Sequence, residues 1–513
     1  MLRLFNILIN LFKCFTECNN TFITPKDTNT EKNHHSSTKM ECSKVWGRLS
    51  AGLKYMLLLF VIYLYAKLAF TVSDVLYNEK APTIYDAVKL YGVVLTCVLY
   101  SMTFVFYLGV PVAICNFLGL VLYNPFTEKL PDDATTNSTH FLCFRVVTRG
   151  LFPNLVKNVT ERNLQTCQKF GLKNFKFEIV TDNQLNLTSA HNVREVVVPS
   201  EYRTPNGTLF KARALNYCLT QNVNILSPDD WIVHLDEETL LTESVLCGII
   251  EFVTKPGSNI GQGVITYGGS EIENWITTLL DGVRTAIDYG LFRFALQFLH
   301  RPLFGFKGSF IIVKMRIEAD IGFDFGPTQS IAEDLRFALT AWDRGYTFDF
   351  VYGIMQEKST FTLADFVKQR KRWLIGHFHV LWNNSLPWYT KIAVLPMHVG
   401  NLFLWMNVMN SVISLILPVP IMKWQLNLFL LLTTNILFLL FFGNYMSLSG
   451  RRYHPVVKVC LCFFSQLLLP VLGIMEAYAA VVGFNDRNNV CFEIVQKEKT
   501  VGPNKETASV NEV

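Results

Sequence analysis

Apolar residues cluster along this chain in two ways. Long runs at 55–72, 90–123, 392–417, 426–445 and 456–482 are each long enough to cross roughly 30 Å of hydrocarbon as a helix. Pro111 falls near the middle of the second run and predicts a kink there. Between the second and third runs, short apolar stretches alternate with helical periodicity. Strands are predicted at 141–147, 175–181, 193–199, 231–235 and 261–267, and helices at 154–170, 210–221 and 241–254. That alternation implies right-handed crossovers and a mostly parallel sheet with helices on both faces.

The pattern divides the chain into five parts. Residues 1–48 are an N-terminal segment: 1–15 reads as an interfacial helix interrupted by Arg3, Asn6, Asn10 and Lys13, and 16–44 has the composition of a disordered linker. Two membrane helices lie within 49–123, and an α/β domain at 124–389 ends in an interfacial amphipathic helix. Three further membrane helices lie within 390–483, and the tail 484–513 reads as disordered after Glu493. Lys39, Lys44, Arg48 and Lys54 precede the first span, and Arg451, Arg452 and Lys458 lie between the last two. The positive-inside bias then places the N-terminus and the central domain in the cytosol and the tail on the opposite face. Sequons at Asn137, Asn158, Asn186 and Asn206 are idle on a cytosolic domain.

Composition agrees with a membrane protein, since only 17% of residues are charged against roughly a quarter in soluble domains. A net charge of +5 over 513 residues says little about nucleic acid, and no nucleic-acid partner is expected. The twelve cysteines show no paired or metal-ligand spacing, so neither a disulfide framework nor a zinc site is expected.

Candidate chemistry starts at 229–238, DDWIVHLDEE, where a strand runs into three consecutive carboxylates. In an extended segment Asp236 and Glu238 share one side and can hold a hard cation, Mg2+ or Mn2+, open toward a diphosphate, while Glu237 faces away. The same residues also read as a solvated acidic turn capping the next helix, with Thr239 or Thr242 as cap. Asp182, after the strand 175–181, is either a ligand for a nucleotide base or ribose or a turn former. Lys211 and Arg213 are either phosphate contacts at a helix start or a solvated helix face.

Glu333 and Asp334 open another helix, where carboxylates either complement the macrodipole or supply the base that a sugar hydroxyl needs in order to attack at neutral pH. Gln369, Arg372 and Trp373, spaced i, i+3 and i+4, share one helix face suited to a diphosphate and a sugar ring. Lys368, Arg370 and Lys371 read as lipid-headgroup contacts. Lys307 and Gly308 form a small loop where backbone can approach a substrate. His398, Asn401, Asn407, Asn410 and Glu476 either line an acceptor path or bond helix to helix.

The order Asp182, Asp236-Glu237-Glu238, Glu333-Asp334, Gln369-x-x-Arg372-Trp373, set between spans, resembles the membrane-bound inverting glycosyltransferases of family 2, which include cellulose, chitin and hyaluronan synthases. Within that group FRVVTRG, FKARALNYCL, DWIVHLDEETLLTE and QRKRWL resemble the egghead-type β-1,4-mannosyltransferases. The resemblance covers nearly all of 141–376. It implies a GT-A (Rossmann-like) fold, Mg2+ or Mn2+, GDP-mannose as donor and glucosylceramide as acceptor, in the endoplasmic reticulum or Golgi. It also implies roles: Asp182 and Lys211 for the donor, Asp236 and Glu238 for metal and diphosphate, Asp334 as general base, and Arg372 at the leaving group. Trp373, Gln369 and Glu333 would meet the acceptor. The broad group's D-x-D has Glu at 238 here, as in the egghead-type proteins. Two other classes compete, a processive polysaccharide synthase using a UDP-sugar and a catalytically inactive membrane scaffold. Five spans leave little room for a polymer channel, and a scaffold needs none of these charged residues.

Overall fold

The computed structural model describes residues 31–77, 83–127, 139–187, 191–448, 452–488 and 493–498, with side chains from residue 49 onward. The expected helix at 1–15 lies outside the described residues. Seven strands form one sheet in the order β3-β2-β1-β4-β6-β5-β7. They are β1 Leu142–Thr148, β2 Phe175–Thr181, β3 Val193–Val197, β4 Trp231–Leu235, β5 Ile260–Thr266, β6 Ile311–Lys314 and β7 Phe348–Gln356. Every strand points the same way except β6, which runs antiparallel between β4 and β5. The fold is therefore α/β, of the GT-A type.

The first five strands fall where the apolar runs predict them. β6 and β7 escaped the pattern, because β6 is only four residues long and runs directly into a helix, and β7 is interrupted by Gly353 at φ 90°.

Among the described residues three helices precede the sheet: α1 Glu31–Leu76, α2 Ile84–Val105 and α3 Val110–Leu122, with Pro111 opening α3 after a tight turn at Phe106–Gly109. Thus α1 starts inside the run read as linker. The domain contributes α4 Pro153–Phe170, α5 Phe210–Cys218, α6 Glu243–Thr254, α7 Trp275–Ile287, α8 Met315–Ile321, α9 Glu333–Asp343 and α10 Leu363–Leu381. Five more complete the chain: α11 Trp388–Leu402, α12 Leu404–Ile416, α13 Lys423–Ser447, α14 Pro455–Leu467 and α15 Leu469–Asn485. Residues 31–62 group with 124–127 as a small unit, in which Asn124 donates to the Ala51 carbonyl. The sheet and every helix from α2 onward belong to the other, larger unit.

The sheet core is apolar, built on Phe144, Phe177, Trp231, Val233 and Ile312, yet a row of buried charge crosses it. Register aligns Arg194 of β3 with Glu178 of β2, Glu178 with Arg145 of β1, and Arg145 with His234 of β4. Arg145 donates to Glu178 at 2.7 Å and to Glu318 of α8 at 2.6 Å; Glu318 also meets His234 at 2.6 Å, and Arg194 donates to Glu178 at 3.0 Å. Burial pushes the Glu318 carboxyl up, but His234 and Arg145 outweigh it and hold it below the usual range. Slipping any of these strands by one residue would break the row and turn each side chain to the other face.

Small residues dock the domain on the membrane helices. A Cβ at Gly443 of α13 would lie 1.8 Å from the Gly282 carbonyl of α7, and Asn444 donates to the Leu279 carbonyl at 2.9 Å. Neither α7 nor this contact was visible in the hydrophobic pattern, since α7 is amphipathic with both faces covered.

Among the described residues three helices are long and apolar enough to cross a membrane: Leu49–Leu76, Ile84–Leu122 and Lys423–Ser447. Two bent pairs, α11 with α12 at 42° and α14 with α15 at 51°, bring the candidates to five. The last pair does not behave as the expected fifth crossing. Before α14, Arg452 bonds the Ser270 carbonyl and Tyr453 packs on Trp275; after α15, Asp486 pairs with Lys371 at 2.7 Å. Both ends touch the catalytic domain, so the tail lies on the catalytic side and not on the opposite face.

Arg370 and Lys371 also depart from the headgroup reading. Arg370 is buried between Asp281 of α7 at 2.6 Å and Glu476 of α15 at 2.7 Å, while Lys371 also binds Glu493 at 2.6 Å. Glu476 thus ties α15 to the domain. Asn410 accepts from Thr103 across helices, whereas Asn401 faces the cavity described below.

Arg145→Ala removes the guanidinium that two buried carboxylates share, leaving Glu178 with the partly exposed Arg194 and Glu318 with His234. The expected cost is about 3–5 kcal/mol, read as a lower thermal midpoint of the full chain in detergent; a midpoint matching wild type would show that the charged row does not hold the sheet.

Candidate active site

Strand order reverses between β1 and β4, and the crevice beyond their carboxyl ends is where an open α/β sheet binds ligands. Parallel register sets Thr148 level with Thr181 and Val146 level with Leu235, so the loops after β1, β2 and β4 open at one height. They enter a cavity of about 360 Å³.

Asp182, Lys211, Asp236, Glu238, Glu333, Asp334, Gln369, Arg372 and Trp373 all line it, so the structure brings these nine candidates together, while Arg213 stands behind Asp182 outside the lining. Asp182 accepts from Arg213 at 2.6 Å, with Arg149 at 4.0 Å, and holds a partly open position at the end of β2. Lys211 reaches from the first turn of α5 to Asp236 at 2.7 Å and to the Gly308 carbonyl at 3.0 Å. Neither Lys211 nor Arg213 belongs to a solvated helix face.

The carboxylates after β4 do not continue as a strand. Thr239 N donates to the Asp236 carbonyl at 3.0 Å and closes a turn, so the alternation expected of an extended segment does not apply. Glu237 consequently faces into the site, where Thr148 donates to it. Lys497, from the tail, bridges Glu237 at 3.1 Å and Glu238 at 2.6 Å.

Among the described residues no group of three or more His, Cys, Asp or Glu side chains is arranged around a metal position. A divalent cation would rest on two carboxylates. Asp236 spends Oδ1 on Lys211 and Glu238 spends Oε2 on Lys497, and their other oxygens are hard donors of the kind Mg2+ and Mn2+ prefer. The chemistry of these two donors suits such an ion.

Asp334 stands on the first turn of α9, whose preceding residue Ala332 offers no side-chain cap. Its Oδ1 accepts from Leu335 N at 2.7 Å. Gly308 lies against the same carboxylate: a Cβ there would come 3.1 Å from Asp334 Oδ2 and 3.4 Å from Lys211 Nζ. The loop carrying Gly308 is held at both ends by phenylalanines in the left-handed region, Phe304 at φ 70° and Phe310 at φ 59°, a costly conformation for bulky residues. Lys307 turns away to Asp288 at 2.6 Å.

The carboxylates differ in proton affinity. Burial raises Asp236, but Lys211 and Lys497 outweigh it and hold it well below the usual carboxylate range. Asp334 lacks such a contact, and burial pushes it up to about 6, against the opposing pull of the Leu335 amide and Lys211. Glu333 is raised by burial and by Asp334, and Glu238 by burial in spite of Lys497. Burial lowers Arg372, although Glu333, Asp236, Asp334 and Glu238 all favour its charge.

Trp373 lines the cavity, but its ring is engaged by Arg370 at 4.4 Å and Arg284 at 4.7 Å where a bare stacking surface was expected. Residues missed from the sequence include Lys497 and Glu357. Glu357 follows the unpredicted β7, lines the cavity and accepts from Thr239 at 2.8 Å.

A GT-A sheet with carboxylates and cations around the crevice of its switch point defines a glycosyltransferase, and the profile described as "Glycosyl transferase family group 2" matches residues 231–446. The chain is 42% identical to "Beta-1,4-mannosyltransferase bre-3" of Caenorhabditis briggsae, over 80% of this chain and 90% of that one. It is 39% identical to "Beta-1,4-mannosyltransferase egh" of Drosophila melanogaster, over 83% and 93%. It therefore belongs to the β-1,4-mannosyltransferase family of egh and bre-3. A solved structure, S. aureus TarS 1-349, aligns with 64% of this chain and 90% of its own at 11% identity and a TM-score of 0.27, too low to add to the topology above.

Gly308→Ala pushes a methyl between Asp334 and Lys211 without touching the core. Transfer is expected to fall about 10–100-fold, as small misplacements of reacting groups do, with an unchanged thermal midpoint; transfer within twofold of wild type would show that the loop does not set the position of Asp334.

Proposed function

We propose that this protein transfers mannose from GDP-mannose to glucosylceramide with inversion, using Mg2+ or Mn2+, on the cytosolic face of the endoplasmic reticulum or Golgi membrane. The observation that carries the reading is convergence. Asp182, Lys211, Asp236, Glu238, Asp334 and Arg372 come from separate segments between residues 182 and 372, yet they line one cavity. The curated relatives named as β-1,4-mannosyltransferases support mannose as the sugar moved. The lipid acceptor is supported by the cavity's continuation to Met397 and Asn401 of α11 and Ala479 of α15, where a membrane-embedded substrate can present its headgroup.

In the proposed reaction Asp182 holds the nucleoside part of the donor. Lys211 and Arg372 flank the diphosphate, and Gln369, Trp373 and Glu333 border the acceptor sugar. Asp236 and Glu238 would hold Mg2+ or Mn2+, which would supply further neutralisation of the diphosphate charge. Asp334 takes the proton of the acceptor hydroxyl as its oxygen bonds the anomeric carbon, and the bond from that carbon to the diphosphate oxygen breaks on the opposite side. One displacement inverts an α-linked donor to a β-linked product. Asp334 suits the task because its raised affinity for protons brings it near neutrality without a lysine clamping its carboxylate.

The decisive assay offers the purified chain a panel of sugar nucleotides with glucosylceramide and reads product linkage. A β-mannosylated glucosylceramide formed from GDP-mannose alone is expected, and extended polymer or no transfer from any donor would overturn the reading. In the same assay Asp334→Asn should lose at least ~10²-fold in transfer while keeping donor affinity. The wild-type rate should rise with pH through about 6 and level above it, because the base acts only when ionised. Parallel losses of donor affinity and turnover would mark Asp334 as structural.

A further inference from the structure

The tail segment 493–498 crosses the mouth of the cavity and is pinned at separate points. Glu493 binds Lys371 of α10 at 2.6 Å, Val495 is buried against the cavity wall, and Lys497 bridges Glu237 and Glu238. Glu498 accepts from Leu155 N in the first turn of α4, one of the amide groups a helix start leaves without an internal partner. A segment held from α10 to α4 by charged groups at both ends is seated with a definite register. Its lysine lands on the turn that carries the donor-site carboxylates.

We propose that this segment completes the donor site and that Lys497 is a positioning residue for it, holding the Glu237–Glu238 turn in place for the nucleotide sugar. The inference rests on the donor-site reading of Asp236 and Glu238 above. Two features support it. Asp236, Glu237 and Glu238 crowd one turn of the cavity wall, where Lys211 pairs with Asp236 at 2.7 Å and Lys497 is the cation paired with Glu237 and Glu238. Second, the turn is anchored on one side by Thr148, from β1, and on the other side the tail's Lys497 donates to Glu238 at 2.6 Å. Losing Lys497 leaves two partly buried carboxylates to repel each other and the diphosphate.

The test measures GDP-mannose binding by calorimetry, in Mn2+, on the full chain in detergent, together with steady-state transfer. Lys497→Ala is expected to weaken binding about tenfold or more, as loss of a charge-assisted contact does. The loss should fall on KM for the donor, with kcat within about threefold. Lys497→Arg should restore binding to within about threefold, and Glu493→Gln, which loosens the segment away from the turn, should weaken binding by a smaller factor. Binding by Lys497→Ala within twofold of wild type, or tighter, overturns the proposal. Asp236→Ala is the control for the underlying reading: if it too binds normally, the donor site itself is misassigned, whereas loss there with normal binding by Lys497→Ala overturns the role of the tail alone.

Discussion

The charged row through the sheet is the constraint on which the rest depends. Arg194, Glu178, Arg145 and His234 sit side by side on β3, β2, β1 and β4, with Glu318 closing the row from α8. Ion pairs inside a core are poor sources of net stability, but an unpaired member is costly, so they discriminate strongly between registers. Here a single register satisfies the row. That register brings Thr148, Asp182 and Asp236 out at one level, and the cavity exists because three loops begin there together.

Around the cavity the same electrostatics is used to divide labour. Two aspartates lie in one pocket, both raised by burial, and they diverge according to their neighbours. Asp236 has an ammonium in contact and stays ionised. Asp334 has an amide in contact and its charged partners further off, so it binds protons more readily. Separation of proton affinities between paired carboxylates is the usual way for one site to hold a cation with one group and move a proton with another. The left-handed phenylalanines on either side of Gly308 indicate that backbone strain is tolerated to bring this loop against both Asp334 and Lys211.

The membrane side shows how far hydrophobic pattern can mislead. Residues 456–482 are apolar enough to cross a bilayer, and a crossing was expected. Yet Glu476 sits in that run because it answers Arg370, and Asp486 follows it because it answers Lys371. Those partners belong to a helix that reads as a basic membrane-surface helix when its residues are taken alone. Long-range ion pairs carry no local signature, so neither the bent, non-crossing path of α14 and α15 nor the return of the tail to the catalytic side was legible.

By itself the sequence determined the α/β class, the first five strands, the break in the second apolar run just ahead of Pro111 and the set of charged residues that meet in the cavity. Each leaves a local trace: an apolar run, a proline, or a carboxylate at a strand end or helix start. Only the tertiary structure decided that β6 runs against its neighbours, that residues 236–238 turn and bring Glu237 inward, and that Trp373 is flanked by arginines. It also decided that Lys497, in a tail read as disordered, reaches the site. The reason is common to all of these. Pairing direction, turn closure and charge partnership are settled between residues far apart in the chain, and their energies depend on burial that exists only once the chain has folded.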